Sequence, residues 1–443
     1  MGRFSKGRVR EMKRLIRSGI AAAAAAALAF SMAGCSSSGS EKAASFDPSL
    51  DTSATVQLDA IGYFGNFEAL DQVVADFNKY YPNVTFNYQQ IGGNDEEAFL
   101  DANPGMDIIM TSPQTLKAKG FNLAESCVDL SQEGVDTSAI DEKMLKNSYV
   151  DGKLTSIPMG QSIAGIVVNT SLLEKEGLEV PKTKSEFLDC CKALKEKGYT
   201  PVQGPSKSIY ADLTINEMAS IIGKESSLAC GLAGGDKPSI AKVESDLEPA
   251  LAFVKELVDK GYTDPKVNDS YPEDNYDGAI MSFFEGDVPF WVCNTEKVSG
   301  MKKRESKSDA FTANPFSYTF IGVPNGDEYG QYAYQEPWFG FGVCKTSDSK
   351  DYAVEFLRFL ATKDEINTMS SVKGIPSVAV EPTNADIYQD ILSPEMTENA
   401  YINDGTISPD MSASWYTVAN GYATGKYKTA GAALEAFAKS CKL

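Results

Sequence analysis

The stretch over residues 55–110 constrains the fold most, because its hydrophobic period switches from two to 3.6 and back. Residues 55–60, Thr-Val-Gln-Leu-Asp-Ala, alternate as a strand does. A loop over 62–66 follows. Then Leu70, Val73, Val74 and Phe77 recur at helical spacing, and the pattern stops near Tyr80-Tyr81-Pro82. Residues 84–88 read as a second strand. Met106-Asp107-Ile108-Ile109-Met110 reads as a buried third strand, set between Asn103-Pro104-Gly105 and Ser112-Pro113. Parallel strands need a crossover, usually a helix, so this rhythm predicts βαβ units on a parallel sheet and an α/β fold. Further helices are expected over 186–197, 246–260, 349–361 and 432–440. Short apolar segments intervene at 165–168, 288–292 and 339–343.

A different pattern precedes residue 55. Residues 3–17 carry seven positive charges, from Arg3 to Arg17, and an apolar run over 20–30 follows, including seven alanines at 21–27. That run is shorter than the roughly 20 apolar residues a membrane span needs, and a basic segment before a short apolar one is the layout of a secretory signal. It ends in Ala33-Gly34-Cys35, which resembles the lipobox of bacterial lipoproteins. The resemblance implies cleavage before Cys35, acylation of its sulfur and a lipid anchor at the outer face of the cell membrane. Residues 1–34 are thus expected as a signal peptide and 35–52 as a flexible, Ser-rich tether.

Without residues 1–34, which hold seven basic residues and Glu11, the chain keeps 34 basic against 60 acidic residues, a net charge of −26. So acidic a surface disfavours nucleic acid and anionic phospholipid as partners. The chain has no histidine, which excludes a Ser-His-Asp triad, a Cys-His dyad and any His-dependent metal site. Cys35 apart, seven cysteines remain: Cys127, Cys190, Cys191, Cys230, Cys293, Cys344 and Cys441. Their odd count and irregular spacing argue against a complete disulfide framework and against zinc, and read as small buried hydrophobes kept reduced.

Four stretches resemble family 1 extracellular solute-binding proteins, the sugar-capturing components of ABC importers, of which maltose-binding protein is a member. They are Phe77-Asn78-Lys79-Tyr80-Tyr81-Pro82-Asn83-Val84; the run from Asp151-Gly152-Lys153 through Val168-Asn169-Thr170 to Pro181-Lys182-Thr183; Phe284-Glu285-Gly286-Asp287-Val288-Pro289-Phe290-Trp291; and 353–360 with Gly374-Ile375-Pro376 after it. Lys184 departs from the family pattern, where a Trp is common. The resemblance implies two discontinuous α/β lobes joined by a hinge, with the ligand between them. Lobe one would be 53–157 with 335–375, and lobe two 158–330 with 376–443. The crossings would fall near Ile157-Pro158, 320–324 and Gly374-Ile375-Pro376. It further implies a monomer that needs no cofactor or metal and hands its sugar to permease subunits.

A sugar offers flat C–H faces to aromatic rings and hydroxyl edges to polar side chains. Candidates therefore sit in loops at strand ends: Tyr63, Phe64 and Asn66 after the first strand, Ser112 and Gln114 after the third, with Asp107 itself read as structural. Gln161 lies just past the first crossing. The resemblance adds Tyr210 and Asp212 from lobe two and the late pair Trp415 and Tyr416. The Trp that the family often has shortly after the third stretch is missing, which leaves Asn294 or Glu296 to replace it and Trp291 as core or contact. Glu336 and Trp338, flanking Pro337, are the sharpest local feature. Two other readings stay open: a non-sugar solute on the same fold, with anions disfavoured because Lys207 alone is basic in these loops, and a surface glycosidase using two carboxylates.

Overall fold

A computed structural model describes residues 46–65, 67–91, 96–112, 121–205, 208–270, 276–324, 326, 330–393, 396 and 401–441. Cys35 with its leader, Asn66, Gln114 and Lys207 lie outside the described residues. Among the described residues there are eleven strands: β1 (Val56–Gly62), β2 (Val84–Gln90), β3 (Ile108–Thr111), β4 (Tyr149–Val150), β5 (Lys153–Leu154), β6 (Ile157–Asn169), β7 (Val202–Gln203), β8 (Phe290–Asn294), β9 (Tyr318–Ile321), β10 (Tyr334–Val343) and β11 (Tyr401–Ile402). β4 and β5 form their own hairpin. The others make one sheet in the order β2-β1-β3-β10-β6-β8-β7, with β9 beside β6 and β11 beside β10.

The expected parallel pairing holds where helices make the crossovers. β1 lies parallel between β2 and β3. Its crossover helix, Glu68–Phe77, buries Ala69, Leu70, Val73 and Phe77. The sheet then turns mixed: β10 runs antiparallel to both β3 and β6, and β6 antiparallel to β8 and β9. These strands come from far along the chain, so no βαβ crossover dictates their direction.

β6 is the shared element. Its first half pairs with β10 and its second half with β8 and β9. Ile157 and Met159 pack in a core drawn from residues 58–159 and 339–379. Ile163, Ile166, Val167 and Val168 pack in cores drawn from residues 163–333 together with Tyr388, Ile391 and Ala423. The segment around Ile375 crosses over β6, and a Cβ at Gly160 would meet Ile375 Cδ1 at 2.2 Å, so any other residue there would have to displace the Ile375 side chain. Gly374, at φ 78°, ends helix Lys363–Lys373 and sends the chain into that crossing.

Two expectations change. The helix expected over 246–260 begins earlier, as Lys237–Asp259, capped by Asp236, with a proline in its first turn and Pro249 carried inside it. Residues 46–52, expected as the end of the tether, are docked instead. The Phe46 ring meets Phe359 edge-on at 5.2 Å, and Ser49 donates from N and Oγ to Glu355 at 2.8 and 2.6 Å. Glu355 is almost fully buried, so its carboxylate needs such donors, and Tyr81 and Arg358 supply two more. No helix of the described residues is long and apolar enough to cross a membrane.

Candidate functional site

β10 organises the site. Strand alternation puts Tyr334 and Glu336 on one face, while Phe339, Phe341 and Val343 enter one core. Trp338 lies beside Phe339, ring centroids 5.4 Å apart, and packs on the edge of that same core. At Trp338 the ladder slips. Pro337 pairs with Gln161 and Phe339 with Gly160, which leaves Trp338 as an extra residue; the next step skips Met159 on β6. Pro337 and Pro158 lack N–H donors for this stretch of ladder, and a bulge there costs least. The bulge leaves the indole of Trp338 partly exposed beside Phe64, with ring centroids 5.2 Å apart. Phe67 meets Phe64 edge-on at 4.9 Å. These rings form a platform.

Lys373 lies on that platform, its Nζ 3.6 Å from the centroid of Phe64, 5.3 Å from Trp338 and 5.8 Å from Phe67. Such cation–π contacts favour the ammonium. Burial pushes Lys373 the other way, down to about 8, helped by Lys303 and opposed by Glu296 and Glu68. Lys303 itself reaches Glu68 at 3.4 Å.

Two residues back along β10, roughly 7 Å by strand rise, lies a polar pocket of about 80 Å³. Ser162 and Ala164 of β6, Asn294, Asp212, Ile215, Ser412 and Tyr416 line it with Tyr334 and Glu336. The Tyr334 hydroxyl donates to Glu336 Oε2 at 2.8 Å, and the Tyr416 hydroxyl to Asp212 Oδ1 at 2.5 Å. Burial pushes the Asp212 carboxyl up, against the lowering effect of Tyr416 and Lys297. Burial, with a carboxylate alongside, drives both tyrosines well above their ordinary value. Asn294 caps helix Thr295–Lys302, its Oδ1 accepting from Lys297 N at 3.2 Å.

The expected residues therefore divide. Phe64 and Trp338 meet at the platform, with Tyr63 packed against the same core. Asp212, Asn294, Glu336 and Tyr416 meet at the pocket. Ser112 follows β3 directly and is partly buried. Three of the expected residues are placed elsewhere. Tyr210 is fully buried, its hydroxyl accepting from Asn268 Nδ2 at 3.3 Å. Trp415 is fully buried and donates from Nε1 to Thr214 Oγ1 at 3.1 Å. It shares helix Pro409–Ala423 with Tyr416, and neighbours on a helix point roughly 100° apart, so only one of the pair faces the pocket. Gln161 is engaged at the crossing: its Nε2 donates to Ser377 O at 2.5 Å and its N to Pro376 O at 2.9 Å.

Trp291 is core, packed on Phe283. Asp107 is structural, accepting from Asp59 N, Ser347 Oγ and Ser349 N. Lys373, Phe67, Tyr334 and Ser162 escaped sequence reasoning. Period-two alternation from Glu336 would have pointed to Tyr334. Nothing local marks Lys373.

A larger hollow of about 490 Å³ lies at the Asn169 end of β6, around Lys175, Glu285, Asp287 and Phe316, and holds none of the expected residues. Among the described residues no His, Cys, Asp and Glu group is arranged to hold a metal ion.

Comparison with known proteins adds to this geometry. The family model of bacterial extracellular solute-binding proteins matches residues 72–404. A multiple sugar-binding protein of Streptococcus mutans is 22% identical over 343 residues, covering 74% of this chain and 76% of the relative. Lipoprotein LipO of Bacillus subtilis is 39% identical over a short stretch of 62 residues, 14% of this chain and 12% of the relative. Among solved structures, apo RafE from Streptococcus pneumoniae superposes with a TM-score of 0.64 at 17% identity, covering 88% of this chain and 99% of RafE. RafE in complex with raffinose gives 0.63 at 17% identity, over 88% and 100%. At these identities the superpositions establish the fold: mixed α/β, of the periplasmic-binding-protein kind.

Proposed function

Because this chain belongs to the bacterial extracellular solute-binding proteins, we propose that it captures a mono- or oligosaccharide and delivers it to the permease subunits of an ABC importer. The observation that carries this reading is the adjacency, along one strand, of the Phe64–Trp338 platform and the Asp212–Glu336 pocket. The platform takes the C–H face of a sugar ring, and the pocket takes hydroxyls. At about 80 Å³ the pocket is far below the roughly 300–1,000 Å³ of a whole small-molecule site, so it receives an edge or one end of the ligand. Sugar-binding relatives such as the Streptococcus mutans protein and raffinose-bound RafE support the same class of solute.

Two lobes, 53–157 with 335–375 and 158–330 with 376–443, close on the ligand by hinge motion. The division of the cores at the middle of β6 supports this reading. A lipid on Cys35 holds the protein at the outer face of the membrane, near its permease, where tethering raises effective concentration. The short LipO match supports a lipoprotein.

The test uses intrinsic fluorescence. Trp291 and Trp415 are fully buried and Trp338 is partly exposed, so a change on adding ligand that the Trp338→Ala variant lacks reports on Trp338. The mature chain is titrated with a panel of mono- and oligosaccharides. Saturable change without new products supports capture; appearance of cleavage products, or no response to any saccharide, overturns it. A second reading has one observation behind it. The pocket is lined by two carboxylates and no basic residue, which suits a solute bearing an ammonium group, so amines and amino sugars belong in the panel.

A further inference from the structure

We propose that Cys127 and Cys344 are joined by a disulfide bond in the exported protein. The two face each other as an isolated antiparallel bridge between the segment after helix Leu123–Ser126 and the end of β10. The flanking hydrogen bonds fix the kind of pairing. Val128 N donates to Val343 O at 2.8 Å, and Lys345 N donates to Ser126 O at 2.9 Å. Bonds on both sides, with none between the facing residues themselves, define the non-hydrogen-bonded pair of an antiparallel ladder. There the Cα atoms lie about 4.5 Å apart and the side chains approach closely on one face. A disulfide requires Cα atoms about 4.4–6.8 Å apart. Both thiols are free in this structure, and the backbone pairing gives them the Cα separation that a disulfide spans.

Both side chains are buried, at 0% and 2% exposure, in one cluster with Ile61, Met106, Ile109 and Leu123. The remaining cysteines are scattered. Cys190 and Cys191 belong to a second cluster, Cys293 to a third and Cys441 to a fourth, while Cys230 is exposed. Seven thiols read from sequence as inert hydrophobes thus contain one pair in register.

Burial disfavours the thiolate at both positions. It pushes Cys127 well up, with Cys344 adding to the effect, and pushes Cys344 up to about 12, with Asp107 adding. Since the thiolate is the nucleophile, bonding precedes closure of this cluster, while the exported chain is folding. One cysteine thiolate attacks the disulfide of an exported thiol oxidoreductase, forming a mixed disulfide and releasing one enzyme thiolate. The second cysteine thiolate then displaces the other enzyme sulfur. The pair loses two protons and two electrons, and the oxidoreductase disulfide becomes a dithiol.

The bond staples Cys127, early in the chain, to the end of the strand that carries Glu336 and Trp338. It encloses a loop of roughly 200 residues, for which the chain-entropy model gives large stabilisation. Both sulfurs lie in one cluster beside β1 and β3, so the staple leaves Gly374-Ile375-Pro376 free.

The exported, mature wild-type chain is denatured in excess alkylating reagent, with and without prior reduction, and its intact mass read. Five alkylated cysteines without reductant and seven with it are expected, and peptide mapping should join the peptides containing Cys127 and Cys344. Seven labels without reductant, or a bond between other partners, overturns the proposal. Thermal unfolding gives an independent reading. Reductant should lower Tm by about 3–5 °C in the wild type and leave the C127A/C344A double variant unchanged. Equal sensitivity in both would also overturn it. Neither assay depends on the ligand.

Discussion

Phe64 and Trp338, partly exposed and backed by buried Phe67, present aromatic rings, whereas Asp212, Glu336, Tyr334 and Tyr416 present hydrogen-bonding edges, and the two sets obey different physics. Contact with a ring face falls off gently with displacement and angle, and aromatic contacts add about 0.5–1.5 kcal/mol beyond the area they bury. A buried carboxylate held by a tyrosine hydroxyl has no such tolerance, because any unmatched partner keeps its full desolvation cost, about 1–3 kcal/mol or more for a charge. The platform can therefore accept rings of several shapes. On the proposed reading, the pocket would decide which end of which solute enters.

The largest expected effect breaks the polar side. Asp212→Ala leaves the Tyr416 hydroxyl without its acceptor and should weaken saccharide binding about 100-fold, or about 2.8 kcal/mol by titration calorimetry. A loss under about threefold would remove Asp212 from the site. Next is Trp338→Ala, which removes the partly exposed indole from the platform and should cost about 30-fold in affinity, or about 2 kcal/mol. Its effect should vary less among sugars than that of Asp212→Ala; the reverse ranking would invert the comparison.

Lys373→Met sharpens the platform further. Lys373 is lowered from 10.5 to about 8 in the folded protein. Between those pH values the unfolded chain binds the extra proton, so stability rises with pH. Denaturant unfolding of the wild type should gain stability from about pH 8 upward, and the variant should lack that gain. Parallel curves would show that Lys373 titrates normally. Affinity should change only severalfold. The smallest effect on binding is expected for Trp415→Phe, which loses the Thr214 hydrogen bond. It should cost about 1 kcal/mol of stability and leave affinity unchanged. A clear loss of affinity would restore Trp415 to the ligand.

What the sequence made legible follows the range of the forces involved. The β1–helix–β2 unit could be read because period, cap and turn are local signals, and Thr183 with Glu186 forms the reciprocal cap that opens helix Lys184–Glu196. Glu336 and Trp338 stood out because a proline between a carboxylate and an indole is a local anomaly. Tyr210 and Trp415 misled because an aromatic next to a polar residue looks the same on a loop as on a buried helix. Lys373 could not be found, since its neighbours Phe64 and Trp338 are brought to it only by the crossing after Gly374. Cys127 and Cys344 were likewise unpairable, because opposite register on two segments is a property of the sheet.

The bulge at Trp338 has a consequence for how this site can change. The extra residue on β10 is matched by one on β6, Met159, so the ladder stays in phase on both sides. Deleting a single residue at 338 would remove one half of that compensation. Everything on one flank would then be turned over, exchanging core-facing for solvent-facing side chains. Point substitutions can retune the platform, but a lone deletion here is a frameshift in three dimensions. Lineages of this chain should therefore vary the residue at 338 while keeping the spacing from Glu336 to Phe339 fixed.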